Sequence, residues 1–308
     1  DGFVVPLTDE HLPEYVGGSA RRLAWLTGFG GSAGTAAVLK DKAAIFVDGR
    51  YTLQVRDQVD GRLYDYKSVP QDSLAQWLAD NAGEGARIGF DPWLHTSGWA
   101  TAATTALKNA GAELVTVESN PVDAVWADQP EPSVAPVFLQ DEALAGRSSA
   151  KKRAEVAEWL AARKLDAAVI SALDSVAWLL NVRGSDVERT PVALSYAIAH
   201  ADGTADWFIA PEKVPADVEA ALGNAVRIRP RDQFTNALGE LAGKRVAADP
   251  ERAVAAIFDA LAQAGATPVR LTDPCVLPKA VKNPAEQAGH RAAQARDGAA
   301  LARFLHWL

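Results

Sequence analysis

Residues 24–32, AWLTGFGGS, return in altered form at residues 177–185, AWLLNVRGS. Each copy ends a short helical pattern, passes through a glycine-containing loop and enters a strand hairpin. The two tryptophans, Trp25 and Trp178, stand about one domain length apart. The repeat therefore predicts two tandem domains of the same fold, with both tryptophans as core anchors.

Strand-like and helix-like patterns alternate along the chain, which predicts a mixed α/β class. The patterns of the first half are a strand hairpin over 35–39 and 43–47, a helix after Ser73, a strand over 87–90, a helix over 96–109 and a strand over 113–117. Those of the second half are a helix from Ser148 or Ser149 to Arg163, a strand over 166–170, a short helix, a hairpin over 192–200 and 205–209, and further alternation to Leu271.

Two proline-containing stretches divide the chain. Segment 120–136 holds four prolines without apolar periodicity, and segment 273–284 holds three. Such composition is typical of boundaries between domains. We therefore assign a first domain to 1–120, a linker to 121–147, a second domain to 148–276 and a terminal segment to 277–308.

The terminal segment predicts one long helix over 285–308. Leu301, Phe304, Leu305 and Leu308 recur at helical spacing and form an apolar stripe, which needs a partner surface. Either this helix docks on its own domain, or the chain is cut within the first helix of another domain. The absence of a helix cap after the stripe favours the second. The absence of Met at position 1 likewise predicts that native translation starts elsewhere.

Composition restricts the classes of partner. The 308 residues carry 39 acidic and 31 basic side chains, a formal net charge of -8. This disfavours non-specific binding to nucleic acid or to anionic membranes. No run approaches the ~18 apolar residues of a membrane helix, and the first residues lack the pattern of a signal peptide. One cysteine, Cys275, cannot form an internal disulfide, so a cytoplasmic location is expected.

Two short sequence motifs lack the order of strand and helix that their chemistry requires. Gly28, Gly30 and Ala33 match a dinucleotide fingerprint, and Ser32 lies within a match to the nucleophile elbow of serine hydrolases. Both motifs require a strand, a turn and then a helix, whereas here a helix comes first and a strand follows. Neither nucleotide binding nor a catalytic serine is predicted. The histidines also lack the spacing of a metal site.

Three residues are candidates for binding substrate: Arg50, Tyr51 and His11. Asp48 is predicted to cap a helix that starts near Arg50 and to pair with that side chain. Alternatively, Arg50 projects towards a neighbouring domain or subunit and receives a carboxylate or carbonyl there. His11 lies in a short acidic stretch. No catalytic and no metal-ligating residue is assigned within this chain.

Seven groups of residues, in this order and spacing, resemble the N-terminal part of three-domain Xaa-Pro aminopeptidases of the creatinase/prolidase superfamily. The groups are 9–11 with 14–15, 26–29 with 31–35, 48–51 (DGRY), 122–126, 172–174 with 177–179, 183–187 (RGSDV) with 191 and 195–196, and 279–283 (KAVKN) with 286. The resemblance implies two tandem creatinase N-terminal-like domains. Each would be a mixed sheet flanked by helices, in a ribonuclease-H-like arrangement.

The resemblance also implies a third, "pita-bread" domain with two metal ions, usually Mn²⁺, which activate a water for attack on the Xaa-Pro amide. Residues 277–308 would be its start, so this chain would lack the metal ligands and be inactive alone. Its two domains would shape access to the active site and support assembly. Xaa-Pro peptides are the expected substrates of the parent enzyme, and a homodimer is the expected assembly.

Two alternatives stay open. One is a non-enzymatic creatinase-like module that binds peptides, as in some histone chaperones. The other is a different enzyme of the superfamily, such as a prolidase or a creatinase. Two tandem N-terminal domains favour the three-domain aminopeptidase over those smaller enzymes.

Overall fold

The computed structural model describes residues 1–308. The strands of the first domain are β1 (Gly2–Pro6), β2 (Gly34–Leu39), β3 (Ala43–Val47), β4 (Asp65–Ser68), β5 (Arg87–Phe90) and β6 (Glu113–Thr116). Its helices are α1 (Arg22–Thr27), α2 (Gln54–Gln58), α3 (Leu74–Asn81), α4 (Ser97–Asn109) and α5 (Pro121–Val125).

The strands of the second domain are β7 (Phe138–Leu139), β8 (Ala167–Ile170), β9 (Val182–Arg183), β10 (Tyr196–His200), β11 (Ala205–Phe208), β12 (Val226–Arg229), β13 (Arg245–Ala248) and β14 (Thr267–Arg270). The remaining helices are α6 (Glu142–Ala145), α7 (Ser149–Ala162), α8 (Leu173–Leu180), α9 (Ala216–Leu222), α10 (Phe234–Gly239), α11 (Ala255–Gln263), α12 (Val276–Ala280) and α13 (Pro284–Trp307).

The two domains have the same sheet topology. The strand order is β4-β3-β2-β1-β5-β6 in the first and β12-β11-β10-β8-β13-β14 in the second. In each sheet the first strand pairs with one strand of a hairpin, and both this pairing and the pairing within the hairpin are antiparallel. The three remaining pairings of each sheet are parallel. Helices flank both mixed sheets. The predicted fold class and the internal duplication are therefore confirmed.

The repeated stretch of sequence corresponds to one local structure, the end of a helix. Gly28 ends α1 in the left-handed conformation at φ 80°, and Asn181 ends α8 in the same way at φ 53°. Glycine and asparagine are the residues that adopt this conformation most readily. Both helices follow the first strand of their sheet and lead to the antiparallel hairpin. The similarity between the two stretches thus reflects a shared helix end.

Short-range caps fix the starts of the longer helices. The side-chain oxygens of Ser73, Thr96 and Ser148 accept from backbone N–H groups in the first turns of α3, α4 and α7. Each cap satisfies one amide that has no partner within its own helix. These three starts agree with the sequence prediction because capping depends only on residues close in sequence.

The two repeat tryptophans differ in burial. Trp178 is 5% exposed within the core of the second domain. Trp25 is 40% exposed, and its ring stacks on that of Trp126 at 5.6 Å between centroids. The predicted core role is confirmed for Trp178 and wrong for Trp25. The difference follows the neighbouring helices: α8 packs on the 14-residue helix α7, whereas α1 packs on α5, which has only 5 residues.

The predicted linker, 121–147, contains structure that packs on both domains. Val122 and Trp126, in and just after α5, lie in the core of the first domain. Farther along, β7 pairs with β9 of the second domain. The boundaries assigned from the sequence stay a prediction.

The two domains meet through corresponding loops. Asp91 and Asp249 each follow the equivalent strand, precede a proline, and accept a hydrogen bond from the backbone N–H two residues on, at 2.9 Å in both cases. Thr96 and Val254, the N-cap residues of α4 and α11, form an isolated antiparallel bridge. Equivalent residues that pair in opposite directions indicate a two-fold relation between the domains.

Helix α13 is one continuous helix, as predicted, but its apolar stripe is uncovered. Leu301, Phe304, Leu305 and Leu308 are all exposed. The stripe therefore does not dock on the second domain. No helix of the chain combines the length and apolar character needed to cross a bilayer.

Replacing Trp178 tests its role as a core anchor. Trp178→Ala should lower the free energy of unfolding by ~3–5 kcal/mol, since it removes a large buried ring. Trp307→Ala is the matched control: that ring is 78% exposed, and the expected change is within ~0.5 kcal/mol. Urea unfolding measures both. Equal losses for the two variants would contradict the core role of Trp178.

Candidate functional site: the interdomain cleft

A cleft of about 460 Å³ lies between the two domains. One wall is the loop that follows α1, residues 29–32, and the opposite wall is residues 187–190, which follow α8 and β9. Both segments belong to the connection between the repeated helix of their domain and the hairpin of its sheet. Glu14 and Tyr15, from the segment between β1 and α1, also line the cleft. The volume falls within the range of small-ligand pockets.

Arg50 lies in a 3-10 turn over Gly49–Tyr51, and its Nη1 is 3.6 Å from Oε1 of Glu14, which lines the cleft. The carboxylate of Asp48 accepts from the backbone N–H of Arg50 at 2.9 Å and from its guanidinium at 2.7–3.1 Å. These bonds hold the pKa of the Asp48 carboxyl below its usual value. The predicted cap and ion pair are confirmed. The guanidinium nevertheless stays 59% exposed.

Tyr51 is joined to the cleft through Ser32. The Ser32 hydroxyl donates to Oε1 of Glu14 at 3.0 Å, and the Tyr51 hydroxyl lies 2.8 Å from Ser32 Oγ. Since Ser32 has one proton and gives it to a carboxylate, Tyr51 is the donor in the second bond. Arg50 Nη1 lies 3.6 Å from Glu14 as well. Glu14, Ser32, Arg50 and Tyr51 thus form one polar group.

His11 joins the first domain to the second and is not among the residues that line the cleft. It is 3% exposed. Its Nδ1 lies 2.8 Å from the carbonyl oxygen of Ser171, and Arg231 Nη2 lies 3.2 Å from its Nε2. A carbonyl can only accept, so Nδ1 carries the proton and the Nε2 lone pair accepts from Arg231. Both nitrogens are therefore occupied.

The surroundings of His11 oppose a second proton. Burial is the largest cause, and the nearby Arg231 guanidinium adds to it, so that the pKa of His11 is lowered to about 4. The ring also packs on that of Tyr196, at 4.5 Å between centroids. The substrate-binding role of His11 stays a prediction, and the geometry shows a neutral side chain that connects two domains.

Asp9 is a buried carboxyl without a cation of its own. It is 1% exposed, and its Oδ1 accepts from the backbone N–H of His11 at 2.8 Å. The neighbouring guanidiniums are engaged elsewhere: Arg231 pairs with Glu10, and Arg22 holds Asp123 through two bonds of 2.7 and 2.9 Å. Burial and the charge of Glu10 raise the pKa of Asp9 to about 7.

The pKa of the neighbouring Glu10 is shifted in the opposite direction. Burial disfavours its charge, but Arg231 and, at the low pH where Glu10 titrates, the protonated His11 outweigh burial, and the pKa of Glu10 is lowered to about 2. The sequence alone does not identify Asp9, Glu10 and Arg231 as members of one interdomain cluster. Arg231 is more than two hundred residues from the other two, and no pattern in the sequence marks their contact.

Two sequence-family models, both described as the creatinase/prolidase N-terminal domain, match the chain, one over residues 7–125 and one over residues 128–286. The chain belongs to the creatinase/prolidase N-terminal domain family. The two matches correspond to the two sheets of the duplicated fold.

Relatives of this pair of creatinase/prolidase N-terminal domains are about twice as long. Proteins named "Probable Xaa-Pro aminopeptidase P" from Aspergillus clavatus and Paracoccidioides brasiliensis are 38% and 37% identical to it; they align with 100% of the chain, which covers 48% and 52% of their lengths. An X-prolyl aminopeptidase from Caenorhabditis elegans, described as a cytosolic enzyme with a di-nuclear active site, superposes with a TM-score of 0.93 at 31% identity. That match covers 100% of this chain and 51% of the other.

Within these creatinase/prolidase N-terminal domains, no group of three or more His, Cys, Asp or Glu side chains could hold a metal ion. Glu14 and Ser32 line the cleft together with apolar residues such as Phe29, and they connect it to the Arg50 guanidinium and the Tyr51 hydroxyl.

The substitution Asp9→Asn tests whether folding raises the pKa of the Asp9 carboxyl. The unfolded carboxyl loses its proton near the ordinary pKa of 3.8, whereas the folded one keeps it up to about 7. Rising pH between these values therefore favours the unfolded state. Asp9→Asn should stabilise the protein relative to the native chain by an amount that grows over this window and is constant above it. Urea unfolding from about pH 5 to about pH 8 measures the difference.

Asp65→Asn, which removes an exposed carboxylate, is the control and should change stability by less than ~0.5 kcal/mol. A stability difference between Asp9→Asn and the native chain that is the same at every pH would contradict a raised pKa for Asp9.

Proposed function

We propose that this chain is the non-catalytic N-terminal portion of a metal-dependent Xaa-Pro aminopeptidase. Such an enzyme releases the N-terminal residue from peptides with proline at the second position. The observation that carries the proposal is the superposition of both domains, as one unit, on the X-prolyl aminopeptidase of C. elegans. A match to one domain would fit any protein built on this fold. A match to both domains in the same relative arrangement supports this particular class of enzyme far more strongly.

In this proposal, catalysis belongs to the half of the relatives' length that this chain does not cover. Two Mn²⁺ ions there would activate the water that attacks the Xaa-Pro amide. The di-nuclear site of the C. elegans enzyme supports a pair of metal ions. The two domains described here would wall the opening to that site, limit substrate length and support a homodimer in the cytoplasm.

Arg50 would meet the substrate beside the cleft. Asp48 occupies its Nε and Nη2 donors. Nη1 lies 3.6 Å from Glu14, too far for a hydrogen bond, and keeps its protons available. A guanidinium with free donors suits a carbonyl or carboxylate of a bound peptide. Tyr51 would support it, because Arg50 lies over the Tyr51 ring at 5.2 Å, while His11 would fix the domains around the cleft.

The sequence contains a matched control for Arg50. Asp60, Gly61 and Arg62 repeat the Asp-Gly-Arg order, and Arg62 bonds to Asp60 with the same set of contacts, at 2.6–3.1 Å. In the full-length protein, Arg50→Ala should lower kcat/KM for an Xaa-Pro peptide by roughly 10- to 100-fold, the equivalent of one lost charge-assisted hydrogen bond. Arg62→Ala should leave it within about twofold. Equal effects of the two variants would remove Arg50 from the substrate site.

The chain alone should not cleave peptides. Purified residues 1–308, incubated with Mn²⁺ and an Xaa-Pro peptide, should give no release of the first residue above the buffer rate, because no set of side chains here could hold the metal. Chromatography of the products measures this. Metal-dependent cleavage by the pure chain would contradict the proposal that these two domains are non-catalytic.

A further inference from the structure

Helix α13 leaves the second domain almost unsupported. Its first three turns are half-buried on one face, which includes Ala285, Glu286 and Ala293. Every residue from 294 onwards is exposed. A helix of 24 residues is about 36 Å long, so a tilt of about 20° at its base would move its far end by roughly 12 Å. The direction of α13 therefore depends on contacts in its first turns.

Asn283 makes two of those contacts at once. Its Oδ1 accepts from the backbone N–H of Glu286 at 3.0 Å, and its backbone N–H donates to the Glu286 carboxylate at 2.9 Å, which together form a capping box. Its Nδ2 donates to the carbonyl oxygen of Ala145 at 2.8 Å. Ala145 is the last residue of α6, where carbonyls lack partners within the helix. One side chain thus joins the end of α6 to the start of α13.

Gly146 provides the space for this contact. It follows Ala145 in the left-handed conformation at φ 68°. A Cβ built on Gly146 would come within 2.3 Å of Asn283 Oδ1 and 2.7 Å of Nδ2. No side chain fits at this position while Asn283 stays in place, so the glycine is required for the approach of α13 to α6.

Neighbouring contacts tie the preceding segment to the second domain. Arg147 Nη2 donates to the carbonyl oxygen of Pro278 at 3.2 Å, and Lys279 pairs with Asp174 of α8. These contacts hold α12, whereas Asn283 acts on α13 itself. The backbone between α12 and α13 is extended at Val281 and at Asn283 and offers no helical continuity to fix the angle.

We propose that Asn283 is a positioning residue: through its bond to Ala145 it sets the direction in which α13 leaves the second domain. The capping function and the tethering function use different atoms, Oδ1 for the cap and Nδ2 for the tether. They can therefore be separated by substitution. The inference is independent of the proposed peptidase function, because it concerns the geometry of this chain alone.

The experiment measures the direction of α13 by the distance between two spin labels. Labels are attached at Glu158→Cys on α7 and Arg303→Cys on α13, both exposed positions, in a Cys275→Ala background. Double electron–electron resonance gives the distance distribution, and far-UV circular dichroism gives the helix content. Asn283→Asp keeps an oxygen that can cap the helix but has no side-chain N–H to donate. Asn283→Ala loses both, and Gln294→Glu is the control for an added negative charge.

The unsubstituted chain and Gln294→Glu should give one narrow distribution. Asn283→Asp should keep the helix content and at least double the width of the distribution, and Gly146→Ala should broaden it with Asn283 intact. A narrow distance distribution in Asn283→Asp would overturn the proposal. If only Asn283→Ala broadened the distribution, the helix cap, and not the bond to Ala145, would set the direction of α13.

Discussion

A hydrogen-bonded cluster around His11 joins the two domains, and its geometry depends on the proton that Nδ1 of His11 carries. Because Nδ1–H is bound by the Ser171 carbonyl, Nε2 is left as an acceptor, and only a donor can stand opposite it. Arg231 fills that place and pairs with Glu10 at the same time. With Arg231 engaged in this way, Asp9 has no cation of its own, and burial raises its pKa to about 7. The same cluster thus ties together the two domains that wall the cleft.

The parts of the fold that could be predicted from sequence are those fixed by nearby residues. The caps at Ser73, Thr96 and Ser148 act within one turn of helix, and the left-handed helix ends at Gly28 and Asn181 depend on single residues. The cap and ion pair at Asp48 span two residues. Duplication added long-range information, because two similar stretches in similar context imply the same topology twice.

The remainder depends on contacts between residues distant in sequence. The burial of Trp25 could not be predicted, because it depends on whether another helix covers α1 from outside. The interdomain cluster could not be predicted either, because Arg231 and His11 belong to different domains and each stands in an ordinary polar segment. Asp9 gives no signal of its own: the same Asp-Glu-His stretch would be charged and exposed on a single domain.

The bridge between Thr96 and Val254 has a consequence for how this interface could change over time. In a symmetric pair of separate chains, each residue near the axis faces its own copy, so every substitution acts twice. Here the two sides belong to one polypeptide and have diverged: His95 contributes a stacked ring where the other side has Ala253. Covalently joined partners also meet at an effective concentration of about millimolar, without any added contact. Under that condition a contact between domains can be rich in buried polar groups and still form in nearly every molecule.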